Sequence, residues 1–286
     1  MQQRFPNRYA TSETSKENPA NQSNGEQKIH RGWILNDFFI GKCLGEGQYG
    51  KVYKVKEKES GKVVAMKIMY IERFYKDGII DQLAREINIQ SKLHHPNILR
   101  VYGAFIQDAR VHVVMEWANR GTLYNYFFVQ DDRRFSEPIV AYLSSQVLAA
   151  LIYCHKFGIM HRDLKPENVL MTSTTGSSDV VVKLGDFGWS ICQNERINGM
   201  KKKRRTTYCG TIDYMAPELG NRGKYDMRAE AWSFGVLIYE LLTGVADENN
   251  PSDPLFMMFR DGEELPFPEP VSPEAQDIIY KSSRYA

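Results

Sequence analysis

The segment HRDLKPEN, residues 161–168, constrains the fold of this chain more than any other part of its sequence. It sets polar side chains at fixed offsets that chance does not reproduce, namely His161, Arg162, Asp163, Lys165 and Asn168. D-F-G follows at residues 186–188 and A-P-E at residues 216–218, in matching order and spacing. The three segments together predict one site that contains a carboxylate, an ammonium group and an amide.

The residue types in these segments indicate phosphoryl transfer. Asp163 would accept or orient the proton of a substrate hydroxyl, and Lys165 would stabilise the transferring phosphoryl group. Asn168 and Asp186 are the candidate ligands of Mg²⁺. A lysine at position 165 is typical of enzymes that modify serine and threonine, whereas tyrosine-specific enzymes usually lack it.

A second motif, GEGQYGKV, begins at Gly45 and also contains Gly47 and Gly50. Glycines let the backbone approach phosphates closely because no Cβ is in the way. A dinucleotide-binding fingerprint has the same spacing, but it would open a helix, whereas the residues that follow here predict strands. The strand context favours a glycine loop that covers the phosphates of ATP.

Lys67, in the sequence VAMK on the third predicted strand, is positioned to pair with ATP phosphates. Glu86 lies on a predicted amphipathic helix over residues 79–93 and is the candidate partner of this lysine. Taken alone, either residue would equally suit a solvated surface. Their value as site residues depends on the other motifs.

Acidic and basic residues nearly balance, and the formal net charge is +2. Charge therefore gives no reason to expect a nucleic-acid or membrane partner. The four cysteines are scattered without a C-x-x-C pair, so neither a disulfide framework nor a zinc site is expected. The most apolar run, residues 231–242, is too short to span a membrane and predicts a buried core helix that ends at Gly244.

The chain divides by composition. Residues 1–32 are rich in Gln, Asn, Ser, Thr and Lys and predict a disordered tail, since they offer little apolar surface to bury. Residues 33–286 predict one α+β domain with two lobes. A small β-rich lobe with one helix spans about residues 37–117, a hinge follows at about 116–121, and a larger helical lobe covers residues 122–286.

With these motifs the chain resembles the protein kinase superfamily, and within it the Aurora family of serine/threonine kinases, over residues 37–279. The narrower resemblance is carried by Trp189 and Ser190 after D-F-G and by RRTTYCGTIDYMAPEL in the activation segment. QLAREINIQSKLHHPNILRVYGAF, across the regulatory helix and the next strand, is also similar. The resemblance implies the bilobal kinase fold, ATP as phosphoryl donor with Mg²⁺, and a role in mitotic cell division.

The resemblance also implies how the nucleotide is bound. In the family the hinge backbone binds adenine, which falls on Glu116 and Ala118 here, with Met115 as gatekeeper. An ordinary core position is the alternative for Met115. The remaining nucleotide-contacting residues that the resemblance implies are Gly45, Gly47, Gly50, Val52, Ala65, Lys67, Glu167, Asn168 and Asp186.

Regulatory residues follow from the same resemblance. Thr207 matches the activating phosphosite of Auroras, Arg85 and Arg162 match the cations that hold its phosphate, and Thr211 is counted with the catalytic residues. Gln90 stands where most kinases have an apolar residue. If it faces inward, it should loosen the docking of its helix and make activity depend on an activator docked on the small lobe; the alternative is an outward-facing Gln90.

Substrate choice is implied by two carboxylates, Glu167 and Glu240, which match those that bind an arginine two residues before the target in basophilic relatives. The alternative for Glu240 is a pair with a cation of its own lobe. The implied partners are protein substrates with basic residues before Ser or Thr, and an activator of the inner-centromere or spindle-assembly type. The implied location is cytoplasmic and nuclear, at the spindle, centrosome or chromosomes during division.

Two departures from the family pattern stand out. Glu230 occupies the position of an aspartate that hydrogen-bonds the catalytic-loop backbone, which puts the geometry there in question. The chain also ends at Ala286, before the arginine that normally pairs with Glu218, so the last helices are expected to be missing and stability to be low. A kinase-like scaffold without turnover is therefore one alternative, opposed by the intact Lys67 and Asp163. A nucleotide-dependent oxidoreductase rests only on the glycine spacing.

Overall fold

The computed structural model describes residues 32–128, 134–173, 179–192, 196–197, 200–201, 214–216, 226–244, 265–268 and 270–284. The predicted disordered tail lies outside these ranges apart from Gly32. Thr207, Thr211 and Glu218 also lie outside them.

The small lobe is built on a five-stranded antiparallel sheet with the strand order β1-β2-β3-β5-β4. Its strands are β1 (Phe38–Gly47), β2 (Gly50–Glu57), β3 (Val63–Tyr70), β4 (Val101–Gln107) and β5 (Arg110–Met115). Side chains alternate between its faces: Val113 of β5 packs with Leu83 and Met69, while Val114 packs on the other face with Phe38 and Met66.

Two helices, rather than the one predicted, lie between β3 and β4. The amphipathic stretch forms α2 (Ile80–Gln90), and the short helix α1 (Ile71–Lys76) precedes it. Six residues do not complete two helical turns, so α1 leaves no repeating apolar pattern in the sequence. Only Phe74 of α1 is buried, and it packs in the same apolar cluster as Leu83 of α2.

The larger lobe is mainly helical, and its core helix lies where the apolar run predicts it. Its helices are α3 (Leu123–Phe128), α4 (Glu137–Lys156), α5 (Ala229–Thr243) and α6 (Pro273–Arg284). α5 is buried along most of its length and ends before Gly244, whose φ of 107° suits glycine. Together with the small-lobe sheet, this arrangement confirms the bilobal α+β fold.

Among the described residues, α4 is the one helix long and apolar enough to cross a membrane by length and composition. Its buried side chains, which include Leu143, Val147 and Leu151, pack into the core of the large lobe. This packing accounts for the apolar residues on the buried face of α4.

Short strands carry the functional segments between these helices. They are β6 (Gly121–Thr122), β7 (Ile159–Met160), β8 (Val169–Thr172), β9 (Val181–Leu184), β10 (Ile191–Cys192), β11 (Arg196–Ile197) and β12 (Met200–Lys201). The stretch before β4 is joined to β9, because the Leu99 N–H donates to Leu184 O at 2.9 Å and the Leu184 N–H donates to Asn97 O at 2.8 Å. Asp186 is thereby held two residues beyond this junction.

Candidate active site

Lys67 and Glu86 form an ion pair at the centre of the site. The Nζ atom of Lys67, on β3, lies 2.7 Å from Oε1 of Glu86, on α2, and 3.7 Å from Oδ1 of Asp186. Glu86 is buried, whereas the Asp186 side chain is half exposed. One ammonium group therefore joins the sheet, the regulatory helix and the D-F-G segment.

Lys67 attracts both carboxylates of this group. Burial disfavours the ammonium of Lys67, but Asp186 and Glu86 outweigh that effect and raise its pKa. The attraction of Lys67 lowers the pKa of Asp186. Burial raises the pKa of Glu86, because its desolvation exceeds the attraction of the single cation that it shares with Asp186.

Asp163, Lys165 and Asn168 form a second cluster in the loop between β7 and β8. The Nδ2 atom of Asn168 donates to the backbone oxygen of Asp163 at 2.7 Å and to its Oδ2 atom at 2.8 Å. Nζ of Lys165 lies 3.5 Å from the same Oδ2 atom. Asp163 and Asn168 are both buried, so the carboxylate is held in a fixed orientation.

The two clusters are tied together around the D-F-G segment. His161 contacts Gly185 O through Nε2 at 2.7 Å, and its ring meets the edge of Phe187 with the centroids 4.8 Å apart. On the other side, Nε2 of Gln82 on α2 donates to Gly188 O at 2.6 Å. Asp186 itself has a φ of 52°, a conformation that non-glycine residues rarely adopt outside constrained sites.

Glu230 resolves the question raised by its extra methylene. Its Oε1 atom accepts a hydrogen bond from the backbone N–H of Arg162 at 2.7 Å, and its Oε2 atom lies 2.5 Å from Nε2 of His155 on α4. The carboxylate is buried. The longer side chain thus still reaches the catalytic-loop backbone. The sequence analysis missed His155, which belongs to no motif.

Val52, Ala65 and Met115, which are predicted to surround adenine, pack in one apolar cluster on one face of the sheet. Val52 pairs with Lys67 across β2 and β3, and Ala65 pairs with Met115 across β3 and β5. Met115 is buried in the same apolar cluster as Ala65, so it is also a core residue. The Glu116 N–H donates to Arg100 O at 2.8 Å, so the carbonyl is the backbone group of Glu116 that is left for adenine.

The glycine motif forms the turn of the β1–β2 hairpin. The strand pairing ends at Gly47 and Gly50, and Gln48 and Tyr49 make the two-residue tip. A Cβ atom at Gly50 would lie 2.0 Å from Ile68 O, so only glycine fits against β3 there. At Gly45 and Gly47 an added Cβ would meet no atom within 4 Å.

Comparison with known proteins agrees with this geometry. A family model described as the protein kinase domain matches residues 38–284. The chain belongs to the protein kinase family. The architecture and the motif clusters described above are those of such a kinase, and the match covers both lobes.

Several relatives of this kinase are Aurora kinases. An Aurora kinase of Dictyostelium discoideum is 38% identical over 86% of this chain and 61% of its own length. Aurora kinase A-B of Xenopus laevis is 38% identical over 90% of this chain and 59% of its own length. The serine/threonine-protein kinase Aurora-1 of Arabidopsis thaliana is 43% identical over 74% of this chain and 67% of its own length. The kinase is Aurora-like, and it spans less than two thirds of the first two relatives.

The regulatory residues of the kinase are described only in part. Arg85 lies half-buried on α2, and Arg162 lies in the catalytic loop with a φ of 72°. Gln90 is buried, and its Nε2 atom donates to Leu99 O at 3.1 Å, so the outward orientation is wrong. Thr207 and Thr211 lie outside the described residues.

The two carboxylates assigned to substrate arginine differ in exposure. Glu167 is exposed within a short 3₁₀-helix, Pro166–Asn168. Glu240 is buried in α5 and accepts a hydrogen bond from the hydroxyl of Tyr214. Tyr214 belongs to the segment before A-P-E, so this contact joins α5 to the end of the activation segment.

Proposed function

We propose that this protein is an ATP-dependent serine/threonine protein kinase, which transfers the γ-phosphoryl group of ATP to hydroxyl groups of protein substrates. The observation that carries the proposal is the joining of two charged clusters. Lys67, Glu86 and Asp186 form the donor side. Asp163, Lys165 and Asn168 form the acceptor side.

On the donor side, Lys67 binds the phosphates. Its ammonium is oriented by Glu86 and keeps its proton at neutral pH, because the neighbouring carboxylates raise its pKa. The glycine hairpin covers the phosphates, and Val52, Ala65 and Met115 line the adenine site with the hinge backbone of Glu116 and Ala118. The exposed Glu167 is the remaining assigned residue at this site.

Asp186 and Asn168 are the residues that would hold Mg²⁺. Both amide N–H contacts of Asn168 go to Asp163, which leaves its Oδ1 atom as the group for a cation. Carboxylate and amide oxygens are ligands that suit Mg²⁺. The ion, when bound, neutralises charge on the phosphates.

On the acceptor side, Asp163 accepts or orients the proton of the substrate hydroxyl. Asn168 fixes its carboxylate, and Lys165 lies close enough to stabilise charge on the phosphoryl group during transfer. Thr211 is assigned to the same step by the family resemblance alone. These groups act through positioning and electrostatics, the terms that dominate phosphoryl transfer.

Regulation and biological role are proposed from the Aurora relationship. Phosphorylated Thr207 would be held by Arg85 and Arg162. The buried Gln90 joins the end of α2 to the stretch before β4, and from the resemblance we propose dependence on an activator of the inner-centromere or spindle-assembly type that docks on the small lobe. A mitotic role at the spindle, centrosome or chromosomes is proposed from the resemblance to the Aurora family alone.

The substrates proposed are proteins with basic residues before Ser or Thr, and in particular arginine at minus two. The exposed Glu167 suits a guanidinium ligand. Glu240 is buried and accepts a hydrogen bond from Tyr214. It would therefore attract the substrate arginine from below the protein surface that the substrate contacts. One argument for a scaffold without turnover was the altered residue Glu230. That argument is weakened, because Glu230 accepts a hydrogen bond from the catalytic-loop backbone.

The direct test is transfer of radiolabelled γ-phosphate from ATP to a basic serine peptide. Lys67→Ala and Asp186→Asn should each reduce turnover at least about a hundredfold, since each removes transition-state electrostatics. Lys56→Ala is the matched control, because Lys56 is an exposed lysine on the neighbouring strand. Wild-type turnover in either site variant, with unchanged circular dichroism, would contradict the proposal.

A further inference from the structure

The tip of the glycine hairpin is held by α1, the helix that the sequence does not reveal. Nη1 of Arg73 donates to the backbone oxygen of Gln48 at 2.6 Å. Nε2 of Gln48 lies 3.5 Å from Oδ2 of Asp77, the residue that ends α1. Arg73 of α1 and Asp77, which caps the C-terminal end of α1, therefore both reach Gln48, the first residue of the two-residue tip.

The second residue of the tip is held by the same helix. The ring of Tyr49 packs on Phe74 with the centroids 4.5 Å apart, and Phe74 is buried. Burial and the nearby carboxylate of Asp77 raise the pKa of the Tyr49 hydroxyl. The Tyr70 N–H also donates to Tyr49 O at 3.0 Å.

Helical spacing explains why one short helix makes these contacts. Arg73 and Asp77 are four residues apart and lie on one face at the end of α1. The guanidinium of Arg73 lies 4.6 Å from the ring centroid of Tyr70, which orients it toward the hairpin. Neither Arg73 nor Asp77 lies in a kinase motif identified from the sequence.

We propose that α1 positions the hairpin tip over the phosphates of bound ATP, and that Arg73 and Asp77 are positioning residues for nucleotide binding. The inference rests on the proposed function. A two-residue turn flanked by glycines would otherwise sample many conformations, and ordering it on binding would cost affinity. α1 holds the turn in place before ATP arrives, so that cost is reduced.

The test compares the affinity for the non-hydrolysable analogue AMP-PNP with Mg²⁺ against the affinity for adenosine, by titration calorimetry. Arg73→Ala and Asp77→Ala should each weaken AMP-PNP binding about three- to tenfold, the usual effect of losing a charge-assisted hydrogen bond. Adenosine affinity should not change, because adenosine has no phosphates under the hairpin. Arg73 and Asp77 are exposed, so both variants should fold.

Two comparisons exclude a simple effect of charge. Lys76→Ala removes the same positive charge from α1 as Arg73→Ala, but Lys76 has no described contact with the hairpin, so AMP-PNP affinity should stay near wild type. Asp77→Ala removes a negative charge that repels the phosphates. A charge effect alone would therefore tighten AMP-PNP binding, whereas loss of positioning weakens it. Tighter binding by Asp77→Ala, or equal weakening by Lys76→Ala, would overturn the inference.

The remaining outcomes separate the two proposals. If the wild type binds AMP-PNP and both α1 variants bind it equally well, the positioning role is wrong while the nucleotide site stands. If both variants lose adenosine and AMP-PNP affinity in equal proportion, α1 stabilises the lobe in general and the inference fails. If the wild type binds neither ligand, the proposed function itself fails and the inference with it.

Discussion

The carboxylate of Glu230, at the start of α5, accepts a hydrogen bond from the backbone N–H of Arg162 in the catalytic loop at 2.7 Å. The other oxygen of the same carboxylate lies 2.5 Å from Nε2 of His155 at the end of α4. A buried acid therefore joins two helices to the backbone next to Asp163. The resemblance implies an aspartate at this position, and the longer glutamate makes both contacts here.

We expect Glu230→Asp to lower kcat several-fold, because the side chain is one methylene shorter and is unable to span His155 and the Arg162 N–H together. Glu230→Ala leaves that N–H without its acceptor and should destabilise the fold by about 1–3 kcal/mol. Steady-state kinetics and urea unfolding measure the two effects. A Glu230→Asp variant with wild-type kcat and stability would show that the span is unimportant.

We expect His112 to make the fold less stable in mild acid. Its ring is buried in β5 and stacks on Phe105 with the centroids 4.7 Å apart. Burial lowers the pKa of His112. The unfolded chain then binds a proton that the folded chain does not, so stability is lost as the pH falls through the unfolded value of about 6.5.

The measurement is the free energy of unfolding in urea at pH 7.5 and pH 5.5. His112→Phe should lose less stability between these values than the wild type, by at most about 1.4 kcal/mol per pH unit. His94→Gln, at an exposed histidine, is the control and should follow the wild type. The same pH dependence in His112→Phe and the wild type would assign the acid sensitivity to other groups.

We expect phosphorylation of Thr207 to activate the kinase. The phosphate adds about two negative charges, which pair with Arg85 and Arg162 and order the activation segment. Thr207→Val should therefore reduce kcat strongly, and Thr206→Val much less. Activity assays after phosphopeptide mapping compare the two variants, and the reverse ranking would move the switch to Thr206.

We expect the kinase to prefer peptides with arginine at minus two. Thr207 fits this preference, since Arg205 precedes it by two residues. Replacing the arginine at minus two of the peptide by alanine should lower the kcat/KM of the wild type about tenfold or more. The loss should be smaller for Glu167→Ala, which has already lost one carboxylate. Glu167 is preferred to Glu240 for substitution, because Glu240 also binds Tyr214 within the fold.

An arginine at minus three should matter less, since Thr122 occupies the position of the glutamate that reads it in the cyclic-AMP-dependent kinase. Peptides that vary only minus three are therefore the control. An undiminished kcat/KM of the wild type for the minus-two alanine peptide would defeat the assignment.

The sequence by itself determined the family and the two-lobe architecture, and its motifs contain the residues that form the two charged clusters. Motifs such as HRDLKPEN carry this information because phosphoryl transfer requires specific side chains at fixed offsets, whatever surrounds them. The apolar run in α5 was equally informative, since a helix buried on all sides has few polar residues. The glycine spacing needed only its strand context to be interpreted.

Only the tertiary structure decided how these residues are held. Gln90 was ambiguous from helical spacing, and its inward position depends on the Leu99 carbonyl, which lies nine residues away. His155 and Glu230 meet across 75 residues, and Arg73 reaches Gln48 across 25. Such contacts are set by how helices and strands pack, and no local pattern records them.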